Sequence, residues 1–115
     1  MFEQDVFNSV DYENRLARNH DLMVLVAGEF IIEATELYEC LQVHLASHDW
    51  ANLAIVAHRL KGASLEVSGY RFCQLITEVE VLAKEHNVDK LSARLTTLTV
   101  EFDKLVIALN QDILA

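Results

Sequence analysis

The chain contains no proline, and only three of its 115 residues are glycine. A sheet-rich fold turns often, and tight turns draw on Gly, Pro and Asn-Gly pairs. Their scarcity leaves room for few turns and therefore predicts a few long helices. Cysteine is scarce as well: Cys40 and Cys73 lie far apart and form no C-x-x-C pattern. They read as reduced thiols of the buried kind. No stretch approaches the ~20 apolar residues needed to span a bilayer. The opening segment MFEQDVFNSVDYENR is acidic and lacks the apolar core of a signal peptide. By elimination, a cytoplasmic location is expected. Basic residues are few, nine Lys and Arg against eighteen Asp and Glu, for a formal charge of −9. Binding to nucleic acid comes mainly from neutralising phosphates, so that class of function is disfavoured. An anionic membrane surface is disfavoured for the same reason. The plain reading of the acid excess is solubility.

What is present is apolar and periodic. The hydrophobic fraction of 52% suffices for a core without staples, and the length fits one compact domain over residues 1–115. Phe2, Phe7 and Tyr12 give the N-terminal segment apolar anchors, and residues 10–17 are expected to pack across one end of a bundle. A second helix is predicted from about Asp21, its expected cap, to Ser47. Its core stripe is Met23, Val26, Phe30, Ala34, Leu37 and Leu41. Ser47-His48-Asp49 breaks the pattern, and Asp49 caps a third helix opening at Trp50. That helix carries Trp50, Leu53, Ala57, Leu60, Ser64 and Val67 on one side and ends near Ser68-Gly69. Ser68 is the expected cap of a fourth helix, with Phe72, Leu75, Val79 and Leu82 inward. After a polar turn at residues 85–87, Val88, Leu91, Leu95, Leu98, Phe102, Leu105 and Leu109 alternate spacings of three and four without a miss. Short links between long helices imply antiparallel neighbours. The expected fold is all-α: an antiparallel up-down four-helix bundle with a short N-terminal covering helix.

Within the third helix, Leu53, Ala57, Leu60 and Ser64 define an inward direction. At about 100° per residue, His58 lies roughly 130° from it and so faces water. One turn away on either side stand Ala54 and Gly62, with Lys61 at i+3 and Leu65 two turns on. Exposed helix faces usually carry Glu, Lys and Gln, so this one is unusual. Gly62 is its oddest member, since a mid-helix Gly costs about 1 kcal/mol relative to Ala. Close approach of another molecule to the helix backbone would compensate. The bland alternatives are an ordinary exposed His and a Gly that relieves crowding between helices.

The string Ala57-His58-Arg59-Leu60-Lys61-Gly62-Ala63-Ser64 resembles the signature of histidine-containing phosphotransfer (HPt) domains, roughly A-H-x-L-K-G-[SA]-[SA]. Asp49-Trp50 opens the His-bearing helix at the usual distance, and the likeness extends from about Asn19 to Leu109. One departure stands out: the family often has Gly where this chain has Ser68, and here the Gly is displaced to position 69. The resemblance implies phosphoryl transfer between an aspartate on a receiver domain and His58. His58 would be the nucleophile and Lys61 a point charge for the phosphoryl oxygens. The implied partners are a response-regulator receiver domain and a hybrid sensor histidine kinase. No cofactor is expected on this chain, and Mg²⁺ is expected on the receiver. No G-x-x-x-x-G-K-[ST] loop is present, so the resemblance points to a phosphocarrier and not to an ATP-dependent kinase. Antiparallel pairing of the second and third helices puts Ile31, Ala34, Thr35 and Tyr38 level with His58 to Leu65. Ile31, Ala54, Ile55, Gly62 and Leu65 are therefore expected to border the phosphoryl site, probing a monomer's transient interface.

Two rival readings remain. His44 and His48 share a helix face at i,i+4, but a bundle metal site also wants inward carboxylates in Glu-x-x-His repeats, which are absent. No metal site is therefore expected, and His20 and His86 read as solvated helix-end residues. The other rival is an HPt-fold interaction module, a kinase inhibitor or scaffold, that does not transfer phosphate.

Overall fold

The computed structural model describes residues 6–115. Phe2, one of the expected N-terminal anchors, lies outside them. Five helices follow in order: α1 (Ser9–Arg15), α2 (His20–Ala46), α3 (Trp50–Glu66), α4 (Tyr70–Lys84) and α5 (Val88–Leu109). A π-helical turn over Asn110–Leu114 closes the described chain and buries Ile113. No strand occurs among the described residues, and none of their helices is long and apolar enough to cross a membrane.

Each pair of consecutive long helices packs side by side, and α2 also meets α5. The links between them are three residues long, so neighbours must run antiparallel. The result is the up-down four-helix bundle the periodicity predicts. Its core is continuous from Phe7 and Tyr12 of the N-terminal cover to Leu105 and Leu109 of α5. Tyr12 is fully buried and donates from its hydroxyl to the Met23 carbonyl at 2.6 Å, fixing α1 to α2.

The three links share one construction. His48, Ser68 and His86 each adopt left-handed φ near 55°. The residue after each donates its N–H to a carbonyl five positions back: Asp49 to His44, Gly69 to Ser64 and Asn87 to Leu82. The left-handed residue itself donates three back, to Leu45, Leu65 and Ala83. This pattern is the Schellman closure of a helix C-terminus. The residue that completes it is also the N-cap of the next helix. Glycine usually fills the left-handed position, so filling it with His and Ser is how the chain turns sharply three times with so little glycine.

Two cap assignments from sequence are corrected. The N-cap of α2 is Asn19, whose side chain accepts from Leu22 N–H at 3.1 Å; Asp21 stands inside the first turn, where its charge suits the helix dipole. Ser68 does not cap α4. It takes the left-handed position of the preceding closure, and Gly69 is the N-cap with no side-chain cap bond. Gly69 has φ −90°, so its glycine is needed for room and not for backbone freedom. A Cβ there would sit 2.7 Å from the Leu105 Cδ2 atom. Trp50 and Val26 are half-buried instead of fully inward, and Val88 is exposed at the mouth of α5. Cys40 is exposed, contrary to the buried reading, and Cys73 is intermediate; both are free thiols.

Candidate functional site

His58 stands near the middle of α3, on the side away from the buried Leu53, Ala57, Leu60 and Ser64. Its side chain is 67% exposed. The imidazole is not free, however. Its Nδ1 lies 3.1 Å from Oε2 of Glu80 on α4. The other oxygen of the same carboxylate accepts from Lys61 Nζ at 2.9 Å. Lys84 Nζ, one turn on from Glu80, approaches to 4.0 Å. Glu80 is only 12% exposed and joins the two α3 residues from the neighbouring helix.

The charge state of Glu80 follows from these contacts. Burial pushes its carboxyl up, but the hydrogen bond and charge of Lys61, with His58 behind them, outweigh burial and hold it below the ordinary range. An ionised carboxylate only accepts hydrogen bonds. Nδ1 of a neutral His58 must then carry the proton, which leaves the Nε2 lone pair directed at solvent. A ring fixed by a second group with its other nitrogen open is an arrangement that can act as a nucleophile.

Gly62, one turn beyond His58, is exposed, and a Cβ at this position would meet nothing within 4 Å. Crowding between helices therefore does not account for this glycine. Ala54 is half-buried, and Ile55 and Leu65 are exposed on the same helix. On α3 the neighbours of His58 besides Lys61 are thus small or apolar at positions 54, 55, 62 and 65.

Ile31 is different. It is half-buried against the core and lies seven residues before Tyr38, so the two share a flank of α2. The Tyr38 ring stacks on Phe102 and its hydroxyl meets Thr99, both on α5. Ile31 therefore lies on the flank of α2 that Tyr38 turns toward α5, whereas His58 leans toward α4. Antiparallel pairing fixes height along the bundle, while azimuth decides which neighbour a side chain meets.

Glu80 is absent from the sequence-based site. Counting around the turn at Ser68 brings residues 78–80 level with His58, but height alone does not say which of them turns toward α3. A second polar group lies at the α3–α4 turn. Asp11 accepts from Ser68 Oγ at 2.7 Å and from the Tyr70 hydroxyl. Arg15 donates to the Leu65 carbonyl and to Ser68 Oγ at 3.2 Å. These contacts clasp α1 to the α3–α4 turn, and the bonds from Tyr70 and Ser68 hold Asp11 below the ordinary carboxylate range.

His44, His48 and His86 sit at one end of the bundle, and His20 opens α2 at the other. His48 and His86 stack on Trp50, each with ring centroids 5.2 Å away and planes 15° apart. His44 Nδ1 is 3.8 Å from Asp49 Oδ2. Among the described residues, no three His, Cys, Asp or Glu side chains gather as a metal set. No family model, curated protein or solved structure matches this chain.

Proposed function

We propose that this protein is a cytoplasmic histidine phosphotransfer protein of a phosphorelay, taking a phosphoryl group onto His58 Nε2 and passing it on. One observation carries the reading: an exposed imidazole tied at Nδ1 to a carboxylate that also grips Lys61, beside a glycine with open space above it. A plain surface histidine requires none of this.

The donor is the aspartyl phosphate of a receiver domain. Nε2 supplies its lone pair to phosphorus, the P–O bond to the aspartate breaks, and the aspartate leaves as carboxylate. The ring becomes cationic as the N–P bond forms. Glu80, accepting from Nδ1–H, stabilises that charge where it develops. Lys61 is one turn from His58 and turns its ammonium toward the phosphoryl oxygens, exchanging part of its contact with Glu80. Onward transfer to a response regulator is the reverse sequence with a second aspartate. Mg²⁺ belongs to the receiver, whose own carboxylates would hold it. Gly62 admits the receiver's approach, and Ile55 and Leu65 supply apolar contact at the rim.

Incubation with a phosphorylated receiver tests the proposal. Label that survives base and is lost in acid, and that is absent from His58→Gln, supports it. An interaction module without transfer would bind a kinase or receiver and take no label.

A further inference from the structure

The long helix α2 has a second face that the bundle does not use. Its inner face is buried through Ala27, Phe30 and Ala34. On the opposite side Leu25 is 56%, Ile32 67% and Val43 64% exposed. At 100° per residue these three fall within about 20° of one another. Gly28 continues the spacing between Leu25 and Ile32, and a Cβ there would meet nothing within 4 Å. A mid-helix glycine weakens a helix, and packing inside this protein does not call for it. The apolar part runs from Leu25 to Ile32, about 11 Å at 1.5 Å per residue, and Glu36 and Glu39 lie on the same line before Val43.

Its charge decides what fits. Across its 27 residues α2 carries five carboxylates and no Lys or Arg. None of the five takes part in an ion pair among the described residues. Glu78, Glu80 and Glu101 on the other helices are all paired with cations. Glu29 stands beside Leu25 and Ile32 at a position of the kind that sets partner choice in paired helices, and Glu36 follows in line one turn beyond Ile32. A second copy of this chain would bring carboxylates against carboxylates, a juxtaposition that interfaces avoid. An amphipathic helix with flanking Lys or Arg meets both the stripe and the charge.

We propose that the outer face of α2 docks a basic amphipathic helix of a partner protein. Leu25, Gly28 and Ile32 take its apolar stripe, and Glu29 and Glu36 take its cations. The face is separate from the transfer site, because His58 leans toward α4 and α2 flanks α3 on the other side. Both surfaces can be occupied at once.

The probe is a labelled 18-residue peptide with Leu at alternating three- and four-residue spacing and Lys beside it. The control peptide is a scramble of the same composition, and binding is read by anisotropy and amide chemical shifts on the full chain. The expected result is binding of the ordered peptide at least tenfold tighter than the scramble, weakening with salt, with shifts along Leu25–Val43. Ile32→Glu and the Glu29→Lys/Glu36→Lys pair should each weaken it tenfold or more while thermal melts show both variants folded. Equal binding of the scramble would overturn the proposal, as would unchanged binding to Ile32→Glu or shifts centred on α3 and α4. Sedimentation as a dimer that Ile32→Glu dissociates would also overturn it, because a second copy would then cover the face.

Discussion

At the scale of single residues, Glu80 changes the picture most. Sequence periodicity gave His58 an outward direction, and the HPt-like string supplied Lys61 and Gly62. Neither reveals a partner on the next helix, since that requires the azimuth of α4 as well as its level. A hydrogen bond to a charged group contributes about 1.5–3 kcal/mol. Where it strengthens as the ring becomes cationic, most of that appears in the rate, and solvent around the exposed imidazole reduces it. Glu80→Gln is therefore expected to slow phosphoryl uptake by about tenfold, with the His58 ring nitrogens losing their preference for Nδ1–H in ¹⁵N spectra. Gly62 gives a prediction of opposite signs. Gly62→Ala has open space for its methyl and should stabilise the fold by about 0.5–1 kcal/mol. The same methyl should slow transfer from the receiver. Urea melts and transfer rates on one sample check both, and a variant that gains stability with full transfer would remove Gly62 from the docking surface.

At the scale of elements, the number, order and packing of the helices were legible because the apolar spacing hardly wavers. The caps were less so. Both Asn19 and Asp21 are competent capping residues, and only the backbone decides that Asn19 faces the free N–H of Leu22. Asn19→Ala should cost about 1 kcal/mol, while Asp21→Ala should cost a few tenths; calorimetry separates the two. The turn after α3 imposes two demands on adjacent residues. Ser68 must accept a left-handed backbone, and Gly69 must leave room for Leu105. A chain with one glycine meets only one demand by glycine, and this chain uses it for room. Ser68 offsets its strained backbone through its bonds to Asp11 and Arg15. Gly69→Ala should therefore destabilise by about 1–3 kcal/mol through overpacking. A neutral result would mean that Leu105 can turn aside without loss.

At the scale of the whole molecule, the charge that composition reports as a single number is unevenly distributed. Among the described residues, most cations pair with carboxylates on α1, α4 and α5, while the acids of α2 take part in no ion pair. The paired carboxylates also set the response to acid. Glu80, Asp11 and Asp49 all bind protons less readily in the folded state than their ordinary values of 4.5, 3.8 and 3.8. Their contribution is full above those values and is lost as pH falls through the lower folded values. Urea midpoints should thus hold between pH 7 and 5 and fall below about pH 4.5, less steeply in Glu80→Gln. Phosphoryl transfer is expected at the α3–α4 edge where His58, Lys61 and Glu80 meet. Its most direct test is the rate at which a phosphorylated receiver labels the intact chain. One acid-labile, base-stable phosphate per molecule is expected, carried on Nε2, absent in His58→Gln and slowed in Lys61→Ala. Normal labelling of His58→Gln, or no labelling of the wild type by any phosphorylated receiver, would contradict it.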